Sequence, residues 1–239
     1  MQESVRINKF LSECGFCSRR EADKLLEQGR ITINGKVPEL GTKVLPTDIV
    51  AVNGKTIIQK NEAFDYVMFY KPKGIECTTN LEMPNNIIEY INYHKRIFPI
   101  GRLDKASEGL ILLTDDGDIV NKILRAKNKN EKEYIVTVNQ AITDRFIERM
   151  SVGIPILETV TQPCKVTKIS NNVFKIILTQ GLNRQIRRMC EYLDYDVVAL
   201  KRIRIMNIKL DVNVGKFRLL TSSELQKLNH ELDNASKTF

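Results

Sequence analysis

No apolar run in the sequence approaches the ~20 residues that a bilayer-spanning helix requires, so a helical membrane protein is excluded. Export is not expected either. The N-terminus carries Arg6, Lys9 and Glu13 where a signal peptide would have an apolar core, and a cytoplasmic protein is the expectation. Metal-binding residues are scarce. The chain has two histidines, His94 and His230. Cys14-Gly-Phe-Cys17 has metal-knuckle spacing, but no second pair follows, so no metal site is expected. The five cysteines, Cys14, Cys17, Cys77, Cys164 and Cys190, are an odd number in a chain without an export signal. That argues for reduced thiols, with Cys14 and Cys17 as packing residues. None has a recognisable histidine partner for thiol catalysis. No repeat longer than Asn-Gly-Lys occurs, and no basic amphipathic helix with an aromatic face points to a membrane surface.

What the chain does have is positive charge, unevenly placed. Its 239 residues suffice for a domain of moderate size and a small one, and the net charge is +8. Between Arg184 and Lys209 there are seven basic and three acidic side chains. A basic face of that kind suits a polyanion, and nucleic acid is the usual one.

Residues 1–59 read as a small module. Val5, Ile7, Phe10 and Leu11 suggest a short amphipathic helix. Ser18-Arg-Arg-Glu21 is a capping box, opening a helix through Ala22, Leu25 and Leu26 that stops at Gly29. Arg30–Ile33 is strand-like, Asn34-Gly35 is a hairpin turn, and Thr47–Val52 is another strand. Arg19 and Arg20 lie at a helix start, where free amides and the positive dipole end favour phosphate, and Arg6 and Lys9 extend that surface. The alternative is a purely structural cap. The order Arg6-Ile-Asn-Lys-Phe-Leu, Cys17-Ser-Arg-Arg-Glu-Ala and Gly29-Arg-Ile-Thr-Ile-Asn-Gly resembles the small S-four-type RNA-binding domain. That resemblance implies RNA binding and no chemistry in this part.

Residues 60–239 read as a second domain, after a polar linker at Gln59–Ala63. Tyr66–Tyr70 is a strand broken by Lys71-Pro72-Lys73-Gly74. Asn86–Ile91 and Asp118–Leu124 are short helices, and Arg125–Asn130 is a basic loop. Lys132–Val138 alternates as a strand, with Tyr134, Val136 and Val138 on one face. Residues 143–150 form a helix capped by Thr143. Val160–Lys168 and Val173–Thr179 read as paired strands. After Gly181, a helix carries Arg184, Arg187 and Arg188, three cations that repel one another unless anions sit nearby. Val197–Ile205 mixes strand formers with cations, so Arg202 and Arg204 are placed on an RNA-facing edge. Thr221 and Glu224 form a second capping box, before a C-terminal helix.

One stretch is odd. Leu110–Leu113 is a short apolar run closed by Thr114-Asp-Asp-Gly117, a buried strand and its turn. Immediately before it, Gly101-Arg102-Leu103-Asp104 sets a cation and a carboxylate two residues apart. In an extended segment both face the same way, into a cleft or into solvent. Spacing alone leaves both readings open.

Gly101-Arg-Leu-Asp104 with Ser107-Glu-Gly-Leu110 and Leu113-Thr114 resembles the catalytic motif of the pseudouridine synthases, in the RsuA/RluB/RluE/RluF group. Tyr70-Lys71-Pro72-Lys73-Gly74, Lys132-Glu-Tyr134 and Gly181-Leu-Asn-Arg-Gln-Ile-Arg-Arg-Met189 resemble three further motifs of that family, Tyr70 standing where Asn is commoner. The resemblance implies an α+β protein: an N-terminal S-four-type domain of two helices and short strands, then a catalytic domain with a mixed, mainly antiparallel sheet flanked by helices. It implies isomerisation of uridine to pseudouridine in RNA, without metal or other cofactor, by a monomer with no obligate protein partner. Asp104 is the implied catalytic carboxylate, acting as nucleophile or as general catalyst. Tyr134 would stack on a flipped-out base, and Arg187 would pair with Asp104. Arg102 and Leu178 would line the substrate pocket. Lys71, Asn183, Arg184, Gln185, Arg188, Arg202 and Arg204 would hold RNA, together with Arg6, Lys9, Arg19 and Arg20. Asn121–Arg125, Glu131–Tyr134, Val152–Leu157, Arg187–Glu191 and Arg202–Asn207 are most similar to the branch acting on large-subunit ribosomal RNA and, in some members, on a tyrosine transfer RNA. Two other classes compete. A non-catalytic RNA-binding ribosome assembly factor would form no product. A carboxylate glycosidase would need a second acid, for which Glu108 and Asp115 have no clear pairing. A calcium loop at Asp104–Gly109 fails because Ala106 cannot ligate.

Overall fold

The computed structural model of the chain describes residues 4–58, 63–124 and 130–237. The expected linker at Gln59–Ala63 and the basic loop from Arg125 lie largely outside them. The chain divides into two compact units, residues 1–64 with 115–117, and residues 65–114 with 118–239.

The first unit contains β1 (Val5–Arg6), α1 (Ile7–Glu13), α2 (Arg19–Glu27), β2 (Ile31–Ile33), β3 (Lys43–Val44), β4 (Val50–Val52) and β5 (Lys55–Thr56). The capping box forms at α2: Ser18 Oγ accepts from the Glu21 amide at 3.1 Å, and Glu21 returns to the Ser18 amide at 3.5 Å. Ile7 and Leu11 on α1 and Ala22, Leu25 and Leu26 on α2 pack with Ile31, Val44, Val50 and Val52. Asn34 and Gly35 take positive φ, as expected of the turn. The arm after that turn is one bridge long, Ile33 to Lys36, and β2 pairs instead with β4. The expected strand from Thr47 begins only at Val50. Before it, the Asp48 carboxylate turns back to the Leu45 amide at 2.8 Å and to Asn34.

The second unit contains β6 (Tyr66–Lys71), α3 (Ile87–Ile91), β7 (Phe98–Pro99), β8 (Glu108–Thr114), α4 (Gly117–Leu124), β9 (Lys132–Val138), α5 (Asp144–Val152), β10 (Pro155–Ile156), β11 (Thr159–Val160), β12 (Lys165–Ser170), β13 (Val173–Leu178), α6 (Gln185–Glu191), β14 (Val197–Ile205), β15 (Ile208–Lys209), β16 (Phe217–Leu219) and α7 (Ser222–Lys237). One sheet runs through it in the order β12-β13-β9-β14-β8-β6-β16, with β15 on β14 and β7 on β8. The β14–β8 pairing is parallel and the others are antiparallel, so the fold is the expected mixed, mainly antiparallel α+β arrangement. Leu110, Leu112 and Met68 pack with Ile119, Ile123 and Leu228, while Ile111, Leu113, Val67 and Phe69 pack with Ile87 and Ile91. Burial on both faces is why β8 reads as an unbroken apolar run. A further cluster joins Tyr134, Val136 and Val138 to Phe146, Met150, Phe174, Ile176, Leu178, Ile186 and Met189.

Two further expectations need correction. The strand placed at Val160–Lys168 starts at Lys165; Val160 belongs to the separate β10–β11 hairpin, whose tip, Leu157 and Glu158, takes positive φ. Arg184 is not inside a helix. It precedes α6 with φ 49°, so it and Arg188 are not neighbours on one helical face. Among the described residues, no helix is long and apolar enough to cross a membrane.

Candidate active site

The site forms where the parallel pair β8–β14 meets β9. Asp104 lies in the loop entering β8, in a turn closed by the Ser107 amide on the Asp104 carbonyl at 2.9 Å. Its side chain is 34% exposed, half open to a ligand. Arg187, on α6, brings Nε to 3.8 Å from Asp104 Oδ2. That is an ion pair without a hydrogen bond, and Nε is buried with no hydrogen-bond partner. Other atoms anchor the guanidinium: Nη1 donates to the Val197 carbonyl at 3.1 Å and Nη2 to Ser107 Oγ at 3.1 Å. Burial, and then the Arg184 charge, disfavours the Arg187 cation, and Asp104 opposes both. The arginine is therefore held by neutral groups and leaves the carboxylate largely unencumbered.

Tyr134 sits on the same sheet, 8% exposed, in one apolar cluster with Leu103, Leu178, Ile176 and Ile186. Register explains the grouping. Ile176 is opposite Tyr134, Leu178 is opposite Lys132, and cross-strand partners share a face. Leu103, the residue before Asp104, belongs to this cluster, and its amide donates to Cys77 Sγ at 3.4 Å. On the other flank, Tyr134 faces Arg202 of β14, whose guanidinium carbon is 6.0 Å from the ring centroid. Gly109 is required here. A Cβ at this residue, φ 114°, would run into the Arg202 backbone carbonyl and come within 2.6 Å of its amide.

The structure thus brings together Asp104, Arg187, Tyr134 and Leu178, and it leaves Arg102 exposed, without an ion pair to Asp104 among the described residues. Asn183 and Arg184 are exposed before α6, and Arg188, half-buried, is bonded to Asn183 through Nε and Nη2. Arg6, Arg19 and Arg20 are exposed in the first unit, and Lys9 pairs with Glu13 at 3.4 Å.

Four residues expected to hold RNA are otherwise engaged. Lys71 is fully buried, its Nζ donating to the Pro72 and Ile75 carbonyls, because β6 carries it inward beneath the turn. Gln185 is buried and braces the turn before α6 through the Leu182 amide at 3.0 Å. Arg204 uses Nε and Nη2 on Glu133 and Glu131, and Nη1 on the Met206 carbonyl. Arg202 is 3% exposed and cannot reach an external phosphate. Where strands pair inside the sheet, a cation can be engaged by neighbouring carbonyls and carboxylates and need not point to solvent.

Ser107 and Lys132 lie in the motif segments quoted from the sequence, but no role was assigned to either. Ser107, fully buried, is the hydroxyl that orients Arg187. Its signal was a small polar residue at the mouth of a buried strand. Lys132 shares the Tyr134 face by the two-residue period, and its amine is pushed down to about 8 by burial and the Arg202 charge.

This sheet, with a loop carboxylate, a helix arginine and an aromatic on the neighbouring strand, defines a class. The chain belongs to the RNA pseudouridylate synthase family, whose pattern residues 65–192 match, and residues 5–50 match the S4 domain. It is 54% identical to the dual-specificity RNA pseudouridine synthase RluF of Escherichia coli (strain K12) over 236 residues, covering 98% of this chain and 81% of that one. The ribosomal large subunit pseudouridine synthase B of Bacillus subtilis is 32% identical, covering 98% of this chain and 99% of that one. A crystal structure of a pseudouridylate synthase, 29% identical, superposes with a TM-score of 0.69 over 94% of this chain and all of the other.

Proposed function

We propose that this protein isomerises uridine to pseudouridine in RNA, with large-subunit ribosomal RNA as the first substrate to test and a tyrosine transfer RNA as the second; a name of dual specificity among its relatives fits more than one target. The observation that carries the reading is the half-exposed Asp104 beside Arg187, next to the apolar cluster of Tyr134 and Leu178. The reaction breaks the C1′–N1 bond and makes a C1′–C5 bond. A proton leaves C5 and one is gained at N1, so the product is an isomer of the substrate. A carboxylate can attack the carbon it faces or assist the elimination. Asp104 is suited to either role because its partner is a fixed cation that does not consume its lone pairs. Tyr134 offers a flat apolar face for a flipped base, and Leu178 and Leu103 wall the detached uracil away from water. Flipping costs a few kcal/mol, which contacts along the RNA must offset. Arg19 and Arg20 at the start of α2, with Arg6, Lys9, Asn183, Arg184 and Arg188, are the groups assigned to that task.

In this reading the protein works in the cytoplasm as a monomer and needs no cofactor. The test is chemical mapping of pseudouridine in ribosomal and transfer RNA from cells carrying or lacking the protein. Signals that vanish with the protein and return with the wild-type chain, but not with Asp104→Asn, support it. An RNA population unchanged by the deletion would leave the assembly-factor reading standing.

A further inference from the structure

Arg202 is a buried cation that the mechanism above does not use. It lies within β14, flanked by Gly109 on the parallel side and Tyr134 on the antiparallel side. Nε donates to the Leu110 carbonyl at 2.6 Å, within β8. Nη1 donates to the Arg102 carbonyl at 3.3 Å, two residues before Asp104. Nη2 is buried and has no hydrogen-bond partner, and the guanidinium carbon is 6.0 Å from the Tyr134 ring centroid. Among the described residues no carboxylate pairs with Arg202.

Such a position is costly. Burying a cation without a counter-charge is unfavourable, and its field opposes charge on two neighbouring lysines. The amines of Lys71 and Lys132 are both pushed down, by burial first and by Arg202 in addition. A neutral residue of similar length would fill the volume without that penalty. What a neutral residue lacks is a rigid planar group that can donate to two carbonyls in two fixed directions while an aromatic ring lies close by. One carbonyl, that of Arg102, belongs to the loop of Asp104, the other, that of Leu110, to the strand this loop enters, and the ring is that of Tyr134.

We propose that Arg202 is a positioning residue for the reaction, tying the Asp104 loop to β14 and bracing the Tyr134 ring so that a base stacked on Tyr134 meets Asp104 in reactive alignment. The inference rests on the assignment of Asp104 and Tyr134 to the chemistry. The residue acts through these two groups and does not touch the RNA. It differs from Arg187, which approaches Asp104 itself. The parallel β14–β8 pairing makes this link possible, because it sets Arg202 level with Gly109, and Gly109 lets the two backbones close up.

The test compares Arg202→Lys and Arg202→Met with wild type and Asp104→Asn on one synthetic ribosomal RNA stem-loop carrying the mapped target. Single-turnover pseudouridine formation at saturating RNA, RNA affinity and thermal melting are read for each. Lysine keeps the charge but cannot serve two carbonyls and the ring face together; methionine keeps the length without the charge. Both variants are expected to fold and to bind RNA as wild type does. Both should lose about 100-fold in single-turnover rate, the scale set by misplacing a reacting group by about an ångström. A rate restored at saturating RNA would make Arg202 a binding residue and overturn the proposal. Lowered melting with the rate kept, or unfolding of both variants, would make it structural and overturn it too. An inactive wild type would defeat the functional reading and this inference with it. An active Asp104→Asn would defeat the assignment of the carboxylate, and so the inference, before Arg202 is considered.

Discussion

Two arginine–carboxylate clusters in the second unit are built in opposite ways. Arg218 donates to both oxygens of Asp211, at 2.9 and 2.6 Å, and to both oxygens of Glu224, at 2.8 Å each. Glu224 also closes the capping box of α7 through the Thr221 amide at 2.8 Å. Both oxygens of each carboxylate are engaged, and Glu224 is held down to about 2, chiefly by Arg218. Arg187 and Asp104 instead stand 3.8 Å apart, with the arginine bonded to neutral groups and the carboxylate half open. A saturated cluster stabilises the fold and can do nothing else. An unsaturated one contributes little stability but keeps a carboxylate ready for a ligand. The difference between a structural and a candidate catalytic ion pair here is coordination, not residue type.

That contrast can be broken by mutation. The largest effect is expected from Asp104→Asn, which should cut pseudouridine formation by about 10⁴-fold while RNA binding and melting temperature stay near wild type. Gel-shift titration, thermal melting and product mapping on the same samples check it, and a loss of folding would place Asp104 with the structural clusters. Arg187→Met should cost about 100-fold in rate through misorientation of Asp104. It should also lower the melting temperature, because the Val197 and Ser107 contacts go with it.

The saturated cluster should answer in the reverse sense. Glu224→Gln is expected to leave activity intact and to destabilise by about 1–3 kcal/mol in urea titration. The pH dependence gives a sharper signature. Glu224 titrates lower in the folded state, about 2, than its ordinary 4.5. Its stabilisation is therefore complete above about 4.5 and is lost as pH falls through about 2, below which both states are protonated. The variant should show a flatter loss of stability across that window. The smallest effect belongs to the first unit: Ser18→Ala removes the α2 cap at a cost of about 1 kcal/mol, read by melting, without change in single-turnover rate.

Much of the fold was legible from local pattern. The limits of β9 and β14 agree with the strands read in the sequence, and the caps read at Ser18, Thr143 and Thr221 all form. These are short-range features, decided by side chains within four residues of the backbone groups they satisfy. The β10–β11 hairpin was missed because each arm is two residues long, too short for any period to show. At the site, the motif residues Asp104, Tyr134 and Arg187 were recognised by resemblance, and the structure brings them to one place. Ser107 and Arg202 could not be assigned from the sequence. Their roles depend on contacts to residues 80 and about 100 positions away, which no local spacing encodes.

The odd stretch before β8 shows where the division falls. The sequence alone determined that Leu110–Leu113 is a buried strand, and that a carboxylate stands just ahead of it beside an arginine in sequence. Spacing alone could not decide which arginine matters, although the resemblance pointed to Arg187. Arg102, two residues from Asp104, points to solvent, whereas Arg187, delivered by α6, approaches it, and Arg202, delivered by a parallel strand, holds its loop. Side-chain period governs which residues share a face along one strand. Which strands lie side by side, and therefore which distant cations surround one carboxylate, is set by the pairing of the whole sheet and the close approach that Gly109 allows.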